Sequence, residues 1–393
     1  MNQRMREYLD APVNRIGTHC EKWDHMEETF GRNDLIAMWV ADMDFPTAPA
    51  VRDALVARAE HAIYGYTDNG VQERQAEVDW LMRRHGLKVL PEWILYSPSV
   101  VDSIFFCVRA LTDAHDKILI QPPVYGPFYR AVEIFERELV KNPLVQDANG
   151  VWRMDFEGME AKFAEGVKMM ILCSPHNPVG RVWQRAELER LLELANRYGV
   201  ILVSDEIHSE FVFDGHRQTR ILSLDNSENC ILLTSATKSF NLAGLRQSSM
   251  IIPDGRLREE VLAEMTRANA TTPNLFGGIA QTAAYCHGDE WMDAVVEYVR
   301  ENRDFAVQYI REYLPEIGCR PQEGTYLMWL DFRGLKMEHE AAFDLLVNQA
   351  RVALNSGLSY GEEGRGYFRM NVATQRANVV ATLENIRKAI RGK

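Results

Sequence analysis

No stretch of this 393-residue chain is basic enough to grip a polyanion: Asp and Glu outnumber Lys and Arg by 56 to 44, a formal net charge of -12. Phosphate backbones demand a basic face, so nucleic acid is excluded as a partner and a small-molecule substrate is expected. Long apolar runs are missing too. None approaches the length that crosses a bilayer, so no membrane role is expected, and the opening residues MNQRMREYLDAP are too polar for a signal peptide. A cytoplasmic protein is expected. The six cysteines, at 20, 107, 173, 230, 286 and 319, lie far apart and form no CxxC pair, so neither a zinc ribbon nor a disulfide framework is indicated. HExxH and clustered His/Cys spacings are absent as well, and no metal is expected.

What is present is the composition of a folded enzyme, 46% apolar and 25% charged, with length for two domains and their cores. Internal repeats, low-complexity tracts and Pro/Gly-rich linkers are lacking, so those domains are expected to pack closely. Short β-rich runs alternate with helical stretches through the middle: WILYS (93–97), KILIQ (117–121), KMMILCS (168–174), GVILVSD (199–205), CILLTSA (230–236) and SSMIIP (248–253). Several are continuous apolar runs, as strands covered on both faces require, which predicts an α/β fold with a mostly parallel sheet. Between them, residues 185–198 place Leu188, Leu191, Leu192 and Ala195 on one helical face. A long helix over 289–314, strands near 325–332 and 366–373, and a last helix bearing Val379, Leu383 and Ile386 predict a smaller α+β domain. The expected division is an amino-terminal segment, 1–46, belonging with a small domain at 287–393, and a large domain at 47–286.

The chemistry centres on SATKSFNLAGLR (235–246), where Ser235 and Lys238 stand in a Ser-x-x-Lys spacing. In penicillin-binding enzymes that serine is the nucleophile, but their SDN and KTG elements are missing here, and CILLTSA runs as a strand into the lysine. The alternative is that Lys238 itself forms an imine with an aldehyde cofactor, pyridoxal 5'-phosphate. That cofactor needs an acid to keep its pyridine nitrogen protonated, donors for its phenolic oxygen, an aromatic face for its ring and an anion cradle for its phosphate.

Each has a candidate. Asp205 ends a buried-looking strand, where ligands of open α/β sheets collect, although alone it would as readily cap the next helix. Asn177 lies in CSPHNPVGR (173–181), a turn stiffened by prolines, and can donate to a ring oxygen; His208 follows Asp205 closely enough to reach the same ring. Tyr125 in QPPVYGPFYR (121–130) can lay its ring on the cofactor, though a tyrosine there in isolation would be read as core. YSPSVVDSIFFCV (96–108) passes from a strand through Pro98 and Ser99 into a helix, whose free N–H groups at Val100 and Val101 suit a phosphate. Ser235 and Thr237 add hydroxyls, and Arg246 can pair with the dianion.

These motifs, in this order, resemble the fold type I pyridoxal-phosphate enzymes of the aspartate aminotransferase superfamily. Within it, NRIGTHCEKWD (14–24), WVADMDFPTAPAV (39–51), YGYTD (64–68), CSPHNPVGRVW (173–183), SDEIHSE (204–210) and EGTYLMWLD (323–331) resemble the MalY/PatB cystathionine β-lyase branch across nearly the whole chain. The resemblance implies that Arg369 in YFRMNVAT clamps the substrate α-carboxylate, that the backbone at Val40 and Ala41 approaches it, and that Tyr66 reaches the phosphate of the neighbouring subunit of a homodimer. The chain departs from the branch at Ser174, where an asparagine is usual, at Ser99, where glycine is common, and in VYGPF for the more usual VYPPF.

The activity implied is β-elimination from L-cystathionine or a related cysteine S-conjugate, with Lys238 taking the α-proton and a thiol, pyruvate and ammonia released. An aminotransferase uses the same residues and is the alternative. Fold type I domains also serve in transcription regulators, but those carry a DNA-binding unit ahead of the domain, and about forty residues precede WVADMDF here.

Overall fold

The computed structural model describes residues 1–68, 70–213 and 215–392; the expected end of the small domain, residue 393, lies outside them. Seven strands form the central sheet: β1 (Ile94–Ser97), β2 (Lys117–Ile120), β3 (Glu138–Lys141), β4 (Val167–Cys173), β5 (Ile201–Asp205), β6 (Cys230–Thr234) and β7 (Ser248–Ile251). Their order is β1-β7-β6-β5-β4-β2-β3, and only β7 runs antiparallel to its neighbours. Six of the seven coincide with the apolar runs of the sequence. The seventh, β3, is an edge strand with exposed ends and no apolar run, so its pattern carries no signal of burial.

Alternation along the buried strands feeds two cores. In β4, Met169 and Ile171 pack beneath helix Val100–Leu111, while Met170 and Leu172 face the opposite layer, which includes helix Arg185–Tyr198. That second helix follows its sequence reading. Glu187 accepts from the N–H of Gln184 at its start (2.8 Å), and Gly199 in the left-handed region (φ 69°) ends it. Between those limits Leu188, Leu191 and Leu192 are buried, each contributing roughly 1.5–3 kcal/mol of hydrophobic stabilisation.

A second sheet, β8 (Gly318–Cys319), β9 (Leu327–Asp331), β10 (Asn355–Ser356) and β11 (Tyr367–Asn371), is antiparallel in the order β8-β9-β11-β10. The helices Asp289–Tyr313 and Arg376–Arg391 pack around it, with Val379, Leu383 and Ile386 fully buried. Residues Ile36–Ala37 pair in parallel with Val352–Ala353 as a separate two-stranded sheet, which ties the amino-terminal segment to the carboxyl-terminal part of the chain. No helix among the described residues is long and apolar enough to cross a membrane.

Candidate active site

Parallel strands leave their carboxyl ends on one side of the sheet, and the loops that follow converge there. After β1 comes the start of helix Val100–Leu111; after β2, Tyr125; after β4, Asn177; β5 ends in Asp205, with His208 just beyond; after β6 comes Lys238. All of these face one cavity of about 160 Å³, whose wall also includes Ala41, Thr237 and Val101. Cys173, Ile207, Pro98 and Ala243 line it too. Pro98 belongs to the strand-to-helix turn read from the sequence; Ile207 and Ala243 went unnoticed there because apolar or small walls carry no chemical signature.

Two polar groups dominate the floor. Asp205 is buried, and among the described residues its carboxylate accepts one hydrogen bond, from the N–H of Ile207 (3.1 Å). Burial without a cation in contact pushes its pKa up to about 7. Lys238 Nζ donates to the carbonyl of Ala41 (2.5 Å), and burial lowers its pKa against the opposing pull of Asp42. A lysine held by a neutral carbonyl rather than a carboxylate is the more readily deprotonated.

Arg369 stands on β11, in register with Trp329 of β9 and Asn355 of β10. Its guanidinium donates to Asn177 Oδ1 (3.2 Å) and to the carbonyl of Trp39 (2.7 Å), lies 5.2 Å from the Tyr360 ring centre, and keeps a buried Nε without a partner. With Oδ1 of Asn177 engaged, Nδ2 is the atom left to donate. Among the described residues His208 Nδ1 is also buried and unpartnered, and burial, with the charges of Lys238 and Arg369, drives its pKa well below the ordinary value. Its imidazole is therefore neutral.

The loop through Ala41 is fastened from several sides. Asn371 donates to the carbonyls of Val40 (2.7 Å) and Asp42 (2.6 Å), Asn355 to that of Trp39 (2.9 Å), and Tyr326 OH to that of Ala41 (2.9 Å). Asn241, in the left-handed region three residues past Lys238, bonds the backbone of Met43 and Phe45. None of these asparagines was singled out from sequence, since each bonds residues scores of positions away. The N–H of Ala41 makes no hydrogen bond among the described residues and is free to donate to a carboxylate.

Three expected residues sit elsewhere. Ser235 caps the short helix Ala236–Ser239, accepting from the N–H of Thr237 (2.9 Å) and lying 2.6 Å from the carbonyl of Gln247, so its hydroxyl is spent within the protein and does not line the cavity. Arg246 lies outside the cavity wall and pairs with Asp102 (2.9 Å), next to Val101 in the helix that offers its amino end. Tyr66 is fully exposed, at 105% of its reference area, and touches nothing in its own cavity.

The profile of the family described as aminotransferase class I and II matches residues 33–386. The chain belongs to that family. Among curated members it is 38% identical over 385 residues to cystathionine beta-lyase PatB of Bacillus subtilis (strain 168), covering 97% of this chain and 99% of that protein. It is 34% identical to protein MalY of Escherichia coli (strain K12), over 96% of this chain and 98% of that one. Its fold superposes on cystalysin of Treponema denticola, solved with a pyridoxal 5'-phosphate cofactor, at a TM-score of 0.94 and 29% identity, covering 98% of each chain.

Whether this family member's own cavity fits that cofactor is answered by its unmet groups. A buried carboxyl at about 7 lacks the cation that a pyridinium N–H would supply. Among the described residues Nδ2 of Asn177 has no partner to donate to, the helix start at Val100 opens toward the space, and Lys238 projects into it. The residues fit.

Proposed function

We propose that this chain is a pyridoxal-phosphate-dependent carbon–sulfur β-lyase acting on L-cystathionine or related cysteine S-conjugates. The observation that carries the reading is Lys238 and Asp205 on one cavity floor, in a chain 38% identical to a cystathionine beta-lyase over almost its whole length. When bound, the cofactor supplies an aldehyde for the amines of Lys238 and substrate, and a ring that accepts electron density from Cα.

The residues divide the remaining work. Asp205 is the counter-charge at the ring nitrogen, Asn177 Nδ2 donates to the ring oxygen, and Tyr125 and the neutral His208 border the ring. Val100, Val101, Thr237 and the Arg246 side of the helix start hold the phosphate, with Ser235 supporting Thr237 from behind. Arg369 and the N–H of Ala41 receive the substrate carboxylate. Lys238, steered by the Ala41 carbonyl, removes the α-proton, the thiolate on Cβ departs, and hydrolysis of the remaining three-carbon unit by water gives pyruvate and ammonia. Full exposure of Tyr66 supports its contribution to the phosphate site of a second subunit in a homodimer. Pairing of Ile36–Ala37 with Val352–Ala353 supports grouping residues 1–46 with 287–393 as the small domain, beside a large domain at 47–286.

The test is pyruvate and free thiol formed from L-cystathionine by purified, cofactor-loaded protein without added keto acid. Equal amounts over many turnovers are expected. No pyruvate, with the cofactor absorbance bleaching once and returning only on addition of a keto acid, would make the protein an aminotransferase.

A further inference from the structure

Among the described residues two donors share the carbonyl of Ala41, in the cavity wall: Nζ of Lys238 (2.5 Å) and the hydroxyl of Tyr326 (2.9 Å). Their situations differ. Lys238 has work elsewhere, at the aldehyde of the cofactor and at the α-proton, and must leave the carbonyl to do it. Tyr326 is fixed. It is fully buried, and its ring packs edge-to-face with Phe211 (4.8 Å between centres, 86°) and with His208 (5.4 Å, 74°).

The backbone is bent to place that phenol. Thr325, buried and β-branched, stands in the left-handed region (φ 66°), where such a residue is strained. Bonds on both sides hold it there. The N–H of Thr325 donates to the carbonyl of Phe211 (2.9 Å), its Oγ1 accepts from the N–H of Leu327 (3.1 Å), and the carbonyl of Tyr326 accepts from the N–H of Val372 (2.9 Å). Strain kept in place beside a cavity points to a side chain whose direction matters.

Once the cavity is filled, a carbonyl in its wall has no water to turn to. Left without any donor it bears the full cost of its desolvation, whereas a carbonyl that loses one of two donors does not. With Lys238 alone upon it, the Ala41 carbonyl would hold the amine back. We propose that Tyr326 is a positioning residue that keeps the Ala41 carbonyl aimed and satisfied, so that Lys238 can leave it for the cofactor and come back to it. The proposal rests on the reading that Lys238 engages pyridoxal 5'-phosphate, and names the group that lets it do so.

The experiment is a double-mutant cycle on cofactor affinity, with wild type, Tyr326→Phe, Lys238→Ala and the double variant, each checked for its fold by circular dichroism. Tyr326→Phe keeps the ring and removes the donor. It is expected to weaken pyridoxal 5'-phosphate binding about tenfold where Lys238 is present, since loading then strips the carbonyl of its last donor. In the Lys238→Ala background no lysine has to leave, and the same change is expected to move the dissociation constant less than about twofold. A second measurement, with cofactor saturating, is pyruvate release from L-cystathionine: Tyr326→Phe should lower kcat several-fold, because the freed amine is held on the carbonyl, and leave KM unmoved. Equal weakening in both backgrounds, no weakening in either, or a raised KM with kcat unmoved overturns the role of Tyr326 while leaving the lysine reading intact. If loaded wild type shows no absorbance band that Lys238→Ala lacks, the lysine reading fails and this inference with it.

Discussion

Asp205 and Glu206 are consecutive, both buried, and meet opposite surroundings. Behind the sheet end, Glu206 faces a completed network: Arg220 at 3.3 Å, the hydroxyl of Ser204 at 3.0 Å and the N–H of Ile221 at 2.9 Å. Arg220 is in turn shared with Glu210 (3.6 Å), which also holds His85 (2.7 Å). Burial raises the pKa of Glu206, and Arg220 pulls it back. On the cavity side Asp205 has, among the described residues, a single N–H and no cation in contact, and Glu206 beside it adds to the rise. The difference teaches how a buried charge reveals its purpose. One whose partners are all supplied by the chain stabilises the fold; one left short of a counter-charge is poised for a ligand that brings it.

That contrast can be broken in several ways. The largest effect is expected from Lys238→Ala, on the cavity side: about 10⁴-fold loss of turnover, measured as pyruvate release, with the fold intact by circular dichroism. Asp205→Asn keeps shape but removes the counter-charge, and should cost about 10²–10³-fold in kcat with little change in melting temperature of the loaded enzyme. Glu206→Gln should do the reverse. Leaving buried Arg220 with Glu210 as its remaining carboxylate, at 3.6 Å, is expected to cost about 3 kcal/mol in denaturant unfolding, while kcat of the folded enzyme holds. If Glu206→Gln lost activity and kept stability, the division between the two carboxylates would be wrong.

The smallest effect sharpens the comparison through pH. The carboxyl of Asp205 titrates at about 7 in the folded chain against 3.8 ordinarily, so the native state holds its proton more tightly. The stability this contributes is complete below pH 3.8 and is lost as pH rises through about 7. Cofactor-free wild type should therefore lose about 2 kcal/mol relative to Asp205→Asn between pH 5 and pH 8, read from paired unfolding curves. Loading with cofactor should abolish the difference, because the pyridinium then supplies the missing charge.

Much of this was legible in the chain. Continuous apolar runs marked six strands of the central sheet, because a strand covered on both faces must be apolar at every position, whereas β3 at the edge escaped notice. Strand ends in turn located Asp205, Asn177, Tyr125 and Lys238, which the fold brings to one cavity. The same reading put Ser235 beside the phosphate, but its hydroxyl is committed to Thr237 and Gln247, a partner no local pattern discloses.

The sequence by itself determined which chemical groups stand at the ends of which strands, since period and turn residues are properties of neighbours in the chain. Only the tertiary structure decided which of those groups remain unpaid in hydrogen bonds and charge. Arg369 with Asn177, Lys238 with Ala41 and Lys22 with Asp44 are joined across 192, 197 and 22 positions. Whether a buried group is satisfied depends on what the rest of the fold sets against it, and that is settled in space rather than along the chain.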